Sequence, residues 1–163
     1  VEHLGKGEPW AHAQLRAAVP LSGKSDNGIT VSKFIKPVQQ KRAGKYSVGD
    51  ILQITVTAEN KAGLGWLAID DPVPAGSTVL GGLAKLANSA EMPQTWQGYR
   101  YIERTFTSVR SSFEWARKGT HSFTYEIRLT TPGKYALPLT HAEAMYSPEV
   151  NGQLGNAVFE IEP

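Results

Sequence analysis

Two adjacent carboxylates, Asp70 and Asp71, are the side chains whose type and spacing come nearest to acid–base chemistry in this sequence. Paired carboxylates share a proton or a substrate only when they converge, and neighbours in a strand point to opposite faces. The Asp-Asp-Pro spacing therefore favours a turn-forming role. The histidines lack the spacing of a metal site: His3, His12, His121 and His141. Neither a nucleophile elbow nor a phosphate-binding loop is present, so the sequence predicts no enzyme and no bound cofactor or metal.

A second group of side chains that could form a site lies near the C-terminus, in residues 142–150. The group combines a large apolar side chain, a phenol, a proline and a carboxylate: Met145, Tyr146, Pro148 and Glu149. A core strand does not need this mixture at a bend, and a plain loop does not need Met and Tyr. We therefore expect either a packed corner or a contact surface. In a packed corner, the hydroxyl of Tyr146 would bond the backbone, as a corner tyrosine of a β-sandwich does.

Tryptophans are the remaining side chains with binding potential. Trp66 and Trp115 fall within strand patterns, so we predict that both belong to the core. Trp96 lies in a connection, where it either folds onto the edge of the domain or contacts a partner. A carbohydrate surface would need a row of exposed aromatic side chains, and one loop tryptophan is not a row.

Composition excludes several classes of function. The 163 residues contain no cysteine, so this chain has no disulfide framework, thiolate metal site or cysteine nucleophile. A net charge of +2 without a clustered basic face predicts no nucleic-acid partner; the short basic stretch at residues 41–45 is typical of a solvated turn. No apolar run approaches the ~18 residues of a membrane helix. Because the chain begins with Val1, we expect it to be cut from a longer protein that carries the targeting information.

Apolar and polar residues alternate through most of the chain, which is the period of a half-buried strand. Strands are predicted around residues 31–35, 52–58, 65–69, 99–106, 113–115, 123–129, 136–141 and 157–161, with Gly- and Pro-rich turns between them. This spacing predicts an all-β, antiparallel, immunoglobulin-like β-sandwich over residues 29–163. At most one short helix is expected, over residues 82–90. Residues 1–22 are predicted to be an arm or the last strand of a preceding domain, and residues 23–28 a linker.

Five segments resemble, in order and spacing, the C-terminal domain of bacterial alpha-2-macroglobulins. They are residues 17–21 (AAVPL), 38–40 (VQQ), 46–50 (YSVGD), 70–80 (DDPVPAGSTVL) and 142–150 (AEAMYSPEV). The Pro-Ala-Gly element occurs in many secreted β-sandwich repeats, whereas Glu-Ala-Met-Tyr-Ser-Pro-Glu-Val is much more specific. The resemblance covers nearly the whole chain from about residue 10. It would make the chain the last macroglobulin-like domain (MG10), the counterpart of the receptor-binding domain of animal relatives.

The resemblance implies a non-catalytic domain of a very large, broad-spectrum protease-trapping inhibitor. Such proteins are periplasmic and often anchored by a lipid to the inner membrane. A protease cuts their bait region, a rearrangement follows, and a reactive thioester in an α-helical domain captures the protease. The implied partners are the thioester and CUB-like domains of the same chain and the trapped protease, with a cell-wall synthase as a further candidate. Residues 1–22 would end the CUB-like domain, while the bait region, thioester and anchor would lie outside this sequence.

By motif, Tyr146 matches a tyrosine with which family members shield the thioester from water. A large, rigid, mostly apolar side chain is suited to excluding water from a reactive group. Met145 and Pro148 would flatten and dry the same contact, and Glu149 belongs to the same expected interdomain surface. The shielding and corner-tyrosine interpretations of Tyr146 both remain open from the sequence.

Two other functions fit parts of the sequence. The layout of Val-Gly-Asp followed by Val-Pro-Ala-Gly-Ser-Thr is also found in structural or adhesive immunoglobulin-like repeats of bacterial surface proteins. A carbohydrate-binding module is the third possibility, and it would require several exposed, coplanar aromatic rings.

Overall fold

The computed structural model describes residues 23–81 and 100–163, together with residues 6–8, 10, 12 and 14. Twelve strands occur in this part of the chain: β1 (Lys24–Asn27), β2 (Ile29–Gln39), β3 (Ile51–Asn60), β4 (Leu64–Pro72), β5 (Ser77–Leu80), β6 (Arg100–Arg104), β7 (Ser108–Ala116), β8 (Gly119–Leu129), β9 (Gly133–Tyr135), β10 (Thr140–Ala144), β11 (Ser147–Leu154) and β12 (Phe159–Ile161). The predicted all-β class is confirmed. Within the described ranges no helix is long and apolar enough to cross a membrane. The helix predicted over residues 82–90, and Trp96, lie outside the described residues.

Two antiparallel sheets form the sandwich. Sheet A has the strand order β1-β11-β10-β4-β7-β6, sheet B has the order β2-β3-β8-β5, and β9 and β12 pair as a small third sheet. The inner faces of the sheets share one hydrophobic core. This arrangement confirms the predicted β-sandwich.

The core follows from the period-two pattern of the strands. In β3 the side chains of Leu52 and Ile54 are buried, and they pair across the sheet with Ile127 and Tyr125 of β8. Leu67 of β4 supplies a buried side chain from the opposite sheet. Burying one such side chain contributes about 1.5–3 kcal/mol, so an alternating sequence favours the register that keeps this face inside.

Residues 24–27, predicted as part of a linker, instead form strand β1 at the edge of sheet A. Their backbone pairs with β11, opposite residues 151–154. The side chain of Asp26 fixes the segment further by accepting hydrogen bonds from the Thr30 hydroxyl at 2.6 Å and Lys61 Nζ at 3.0 Å. Polar turn-forming residues can form an edge strand when a long partner strand offers backbone groups. That residues 1–22 belong to a preceding domain stays a prediction.

The strand predicted over residues 136–141 is also different in the structure. β9 ends at Tyr135 and β10 begins at Thr140, with no regular pairing between them. Pro138 lacks the N–H that a ladder needs, and its carbonyl oxygen accepts a hydrogen bond from Asn156 Nδ2 at 2.7 Å. The interruption lets β9 leave the main sheets and pair with β12.

Candidate functional site

The predicted contact segment forms the tip of the β10–β11 hairpin. Ala144 pairs with Ser147, so Met145 and Tyr146 make a two-residue turn. Neither turn residue has a positive φ, which allows large side chains at positions where hairpin turns usually need Gly or Asn. The Tyr146 side chain is 80% exposed and that of Met145 is 50% exposed.

This exposure decides against the corner-tyrosine interpretation of Tyr146. A corner tyrosine lies in the sandwich and gives its hydroxyl to a backbone carbonyl. The described residues offer the Tyr146 hydroxyl no hydrogen bond, and the ring projects from the turn. The structure therefore places Tyr146 on a surface.

A bulge of three residues follows the turn and contains the other two predicted site residues. Glu143 pairs with Asn151 although Ala144 pairs with Ser147, so β11 has three extra residues between these pairs. Pro148 and Glu149 are two of the three, and both are exposed. Pro148 suits an unpaired position because it has no N–H. Asn151 Nδ2 donates to the carbonyl oxygens of Pro148 at 2.8 Å and Glu149 at 3.4 Å, which holds the bulge in shape.

Both sheets hold the hairpin in place. The Met145 N–H donates to the carbonyl oxygen of Trp66 in β4 at 3.1 Å. On β11, Gly152 lies so close to the backbone of β2 that a Cβ atom there would be 2.1 Å from the Ile29 oxygen. The exposed side chains of the turn therefore stand on a fixed backbone.

Two tryptophans extend this surface, and the prediction that both Trp66 and Trp115 belong to the core is wrong. Trp115 is 70% exposed and has a φ of 54°. This left-handed conformation turns its side chain outwards, and Ala116 takes the buried position instead. Trp66 is half-buried and pairs with Glu114, the neighbour of Trp115.

Trp66 is next to the hairpin because its carbonyl oxygen accepts the Met145 N–H, and Trp115 follows Glu114, the residue of β7 that pairs with Trp66. We call Trp66, Trp115, Met145 and Tyr146 the tip surface. Sequence reasoning missed the tryptophans because both fall within strand patterns. The local sequence gave one signal: Trp115 stands between Glu114 and Ala116, and Ala116 is a second apolar residue next to Trp115, which breaks the alternation of β7.

Asp70 and Asp71 do point to opposite faces, but the turn-forming role predicted for them is wrong, since both lie in β4. On the outer face, Asp70 Oδ2 accepts a hydrogen bond from Arg110 Nη2 at 2.7 Å. That hydrogen bond, with the charge of Asp70, raises the pKa of the Arg110 guanidinium. This pair is partly exposed and is worth about 0–1 kcal/mol.

On the inner face, the Asp71 carboxylate is fully buried and joins the two sheets. Its Oδ2 accepts a hydrogen bond from the Tyr125 hydroxyl at 2.6 Å, and its Oδ1 accepts from the Thr140 hydroxyl at 2.5 Å and from Lys33 Nζ at 2.9 Å. Burial, with the neighbouring charge of Asp71, raises the pKa of Tyr125 well above its ordinary value. Removing one partner from a buried charged pair costs about 3–5 kcal/mol.

None of the histidines that the structure describes is part of a metal-binding group. His141 Nε2 lies 3.1 Å from Glu143 Oε2, and His121 Nε2 lies 2.8 Å from the carbonyl oxygen of Arg117. Among the described residues, no cluster of three or more His, Asp or Glu side chains has the arrangement of a metal site.

The sequence profile of the family described as Bacterial Alpha-2-macroglobulin MG10 domain matches residues 28–149, a range that includes the tip surface. No curated protein resembles the chain closely enough to count as a match.

Solved structures of bacterial alpha-2-macroglobulins share the fold. Native alpha-2-macroglobulin from Escherichia coli, from domain MG7 to the C-terminus, has 18% identity and a TM-score of 0.72 over 89% of this chain and 25% of that one. Salmonella alpha-2-macroglobulin reacted with methylamine has 18% identity and a TM-score of 0.71, over 88% of this chain and 10% of that one. The trypsin-activated Escherichia coli protein has 18% identity and a TM-score of 0.70, over 90% and 11%. The chain thus spans a quarter or less of each of these proteins.

Proposed function

The chain belongs to the bacterial alpha-2-macroglobulin MG10 domain family, and from that premise we propose that it is a non-catalytic domain of a protease-trapping inhibitor, whose tip surface packs on a thioester domain of the same polypeptide. The observation that carries the proposal is the exposure of Tyr146 and Met145 on a hairpin whose backbone both sheets hold in place. Exposed aromatic and methionine side chains on a fixed backbone favour burial against a partner, because little conformational entropy is lost on contact.

Shielding of a thioester is the chemistry that this contact would serve. A thioester lasts in water only if a neighbouring group keeps water from its acyl carbon. The Tyr146 ring is large and rigid enough for that role, and Met145 adapts its shape to the surface around the ring. Pro148 and Glu149 would lie at the rim of the same contact, where a carboxylate can keep its hydration.

The solved relatives suit this mechanism. Methylamine is a nucleophile that attacks activated acyl groups, and one relative is a Salmonella protein that has reacted with it. Trypsin activates the Escherichia coli relative. We extend both properties to the parent protein of this chain, with proteases as the trapped partners, the thioester and CUB-like domains as neighbours, and the periplasm, at the inner membrane, as its location. A cell-wall synthase remains a candidate partner for the same parent protein.

The test is a Tyr146→Ala variant of the full-length parent protein, assayed for thiol release without any protease. Loss of a central aromatic contact costs about 2 kcal/mol, which raises the open, water-accessible population roughly 30-fold. Thiol release by water and by methylamine should accelerate roughly 30-fold. A variant left in buffer before trypsin is added should then capture less trypsin than the parent.

Phe34→Ala is the matched control, because Phe34 is an exposed aromatic residue of β2 in sheet B. The control should keep the parent protein's rate of thiol release. Equal rates for Tyr146→Ala and the parent would overturn the shielding role. A parent protein that releases no thiol under any condition would show that there is no thioester to shield.

A further inference from the structure

The buried polar network around Asp71 contains a nucleophile, a proton acceptor and an electrophile in contact. Lys33 of β2 has a side chain that is only 7% exposed, and that of Asp71 is fully buried. Lys33 Nζ lies 2.9 Å from Asp71 Oδ1 and 3.4 Å from Asn156 Oδ1. We propose that Lys33 and Asn156 form an intramolecular amide cross-link, with Asp71 moving the protons.

The reacting side chains are neighbours. Lys33 Nζ lies 3.4 Å from Oδ1 of the Asn156 amide, so the amine is held beside the group that it would attack, and the reaction needs the amide to turn its carbon, Cγ, towards Nζ. The leaving nitrogen, Asn156 Nδ2, lies on the other side and is 3.1 Å from the Thr140 hydroxyl. Thr140 in turn donates to Asp71 Oδ1 at 2.5 Å. A continuous path for a proton therefore runs from the attacking nitrogen to the leaving nitrogen.

The reaction balances without an oxidant or another reactant. Lys33 transfers one proton to Asp71, and its neutral amine attacks Cγ of Asn156. The Nζ–Cγ bond forms, and Asp71 delivers its proton through Thr140 to Nδ2. Asp71 then accepts the second proton from Nζ, the Cγ–Nδ2 bond breaks, and ammonia departs. The product is a secondary amide between the two side chains, and Asp71 regains its carboxylate when ammonia takes up the last proton.

The surroundings favour this chemistry. A cavity of about 220 Å³ adjoins Lys33 and Asn156 and has apolar walls that include Ile35, Ile54 and Phe159. Such a lining limits the water that would compete as a nucleophile. The cavity also gives the departing ammonia space to leave.

The cross-link would join parts of the chain that are 123 residues apart. Lys33 lies on β2, at the edge of sheet B, and Asn156 lies between β11 and β12 near the C-terminus. The bond would close a loop around most of the domain and hold sheet B to the C-terminal segment. Because this inference uses none of the tip-surface residues, it is independent of the function proposed for the tip surface.

The primary test needs no variant: the intact mass of the purified, denatured protein. We expect it to be lower than the sequence mass by one ammonia, and a digest should yield one branched peptide that joins Lys33 to Asn156. A mass equal to that of the sequence, in protein kept folded for days, would overturn the proposal.

Variants then assign the site of the loss. Lys33→Arg keeps the positive charge but should restore the full mass, as should Asn156→Ala. Lys36→Arg, on an exposed position of β2, is the matched control and should remain lighter by one ammonia.

A second route to the same mass change must be separated from the cross-link. Succinimide formation at the Asn27-Gly28 or Asn151-Gly152 sequences also loses ammonia. That product would persist in Lys33→Arg and would give no branched peptide, and either result would reject the cross-link. Asp71→Asn, if it folds, should slow the loss of ammonia strongly.

Discussion

Gly152 of β11 gives the most direct test of how the hairpin is held. A Cβ atom at this position would lie 2.1 Å from the Ile29 carbonyl oxygen, 2.9 Å from the Ile29 carbonyl carbon and 3.1 Å from Val31 Cγ2. The φ of Gly152 is not in the left-handed region, so the backbone itself would accept alanine. Only the approach of β11 to β2 forbids a side chain there.

The expected cost of Gly152→Ala follows from that approach. Ordinary contact begins near 3.4 Å, so β11 and β2 would have to separate by roughly 1 Å. Overpacking of a core costs about 1–3 kcal/mol, and the upper end applies because the obstacle is backbone. In a domain of this size, about 3 kcal/mol lowers Tm by roughly 6–12 °C.

Thermal unfolding followed by calorimetry and near-UV circular dichroism measures this effect. Gly65→Ala is the matched control, since Gly65 lies in β4, is exposed, and has no atom within 4 Å of the position that an alanine Cβ would take. The control should stay within about 0.5 kcal/mol of the parent. If Gly152→Ala is as stable as Gly65→Ala, the close packing of β11 on β2 is wrong.

Three further outcomes follow from single contacts. Because the pKa of Tyr125 is raised in the folded protein, its contribution to stability is complete below the unfolded-state pKa of about 10 and is lost as the pH rises above that value. Spectrophotometric titration should show Tyr125 ionising last among the tyrosines, together with unfolding. Hydrogen bonds from Thr30 and then Lys61 lower the pKa of Asp26, so its contribution to stability is present above the ordinary carboxyl pKa and is lost as the pH falls through the pKa of the folded state. NMR titration should find a lower pKa for Asp26 than for the exposed carboxylates, and Asp26→Asn should make stability depend less on pH in acid. Asn151→Ala removes both side-chain hydrogen bonds to the bulge and should lower the free energy of unfolding by about 1 kcal/mol. Amide hydrogen exchange should become faster around the turn and not in the core. Exchange rates equal to those of the parent would show that the bulge keeps its shape without Asn151.

Local pattern was enough to predict the sheets. Alternation at Leu52 and Ile54 is a property of neighbouring residues, and burying one face of a strand is what makes it stable. The long central strands and the sandwich could therefore be predicted without knowing which strands pair, whereas the edge strand β1 and the break between β9 and β10 could not. The Met-Tyr-Ser-Pro-Glu segment was also recognisable, because its mixture of side chains suits neither a core strand nor a plain loop.

Long-range register decided what the pattern could not. The neighbouring Pro72 favours a turn role for Asp71, but the partners of Asp71, Lys33 and Tyr125, are 38 and 54 positions away. The residues next to Asp71 in the sequence do not show that its carboxylate will be buried, because the donors that compensate its charge come from the other sheet. The same limit hid the contact between Lys33 and Asn156.

Sequence by itself determined the strand period, the class of fold and the motif of the family. Tertiary structure alone decided which polar groups are buried and which aromatic side chains are exposed. Trp115 fits the core by pattern, yet one positive φ turns it outwards, and Tyr146 becomes a surface group because the hairpin turns at that residue. The physical reason is that hydrophobic periodicity acts between near neighbours, whereas burial of a charge or exposure of a ring depends on strands that meet only after folding.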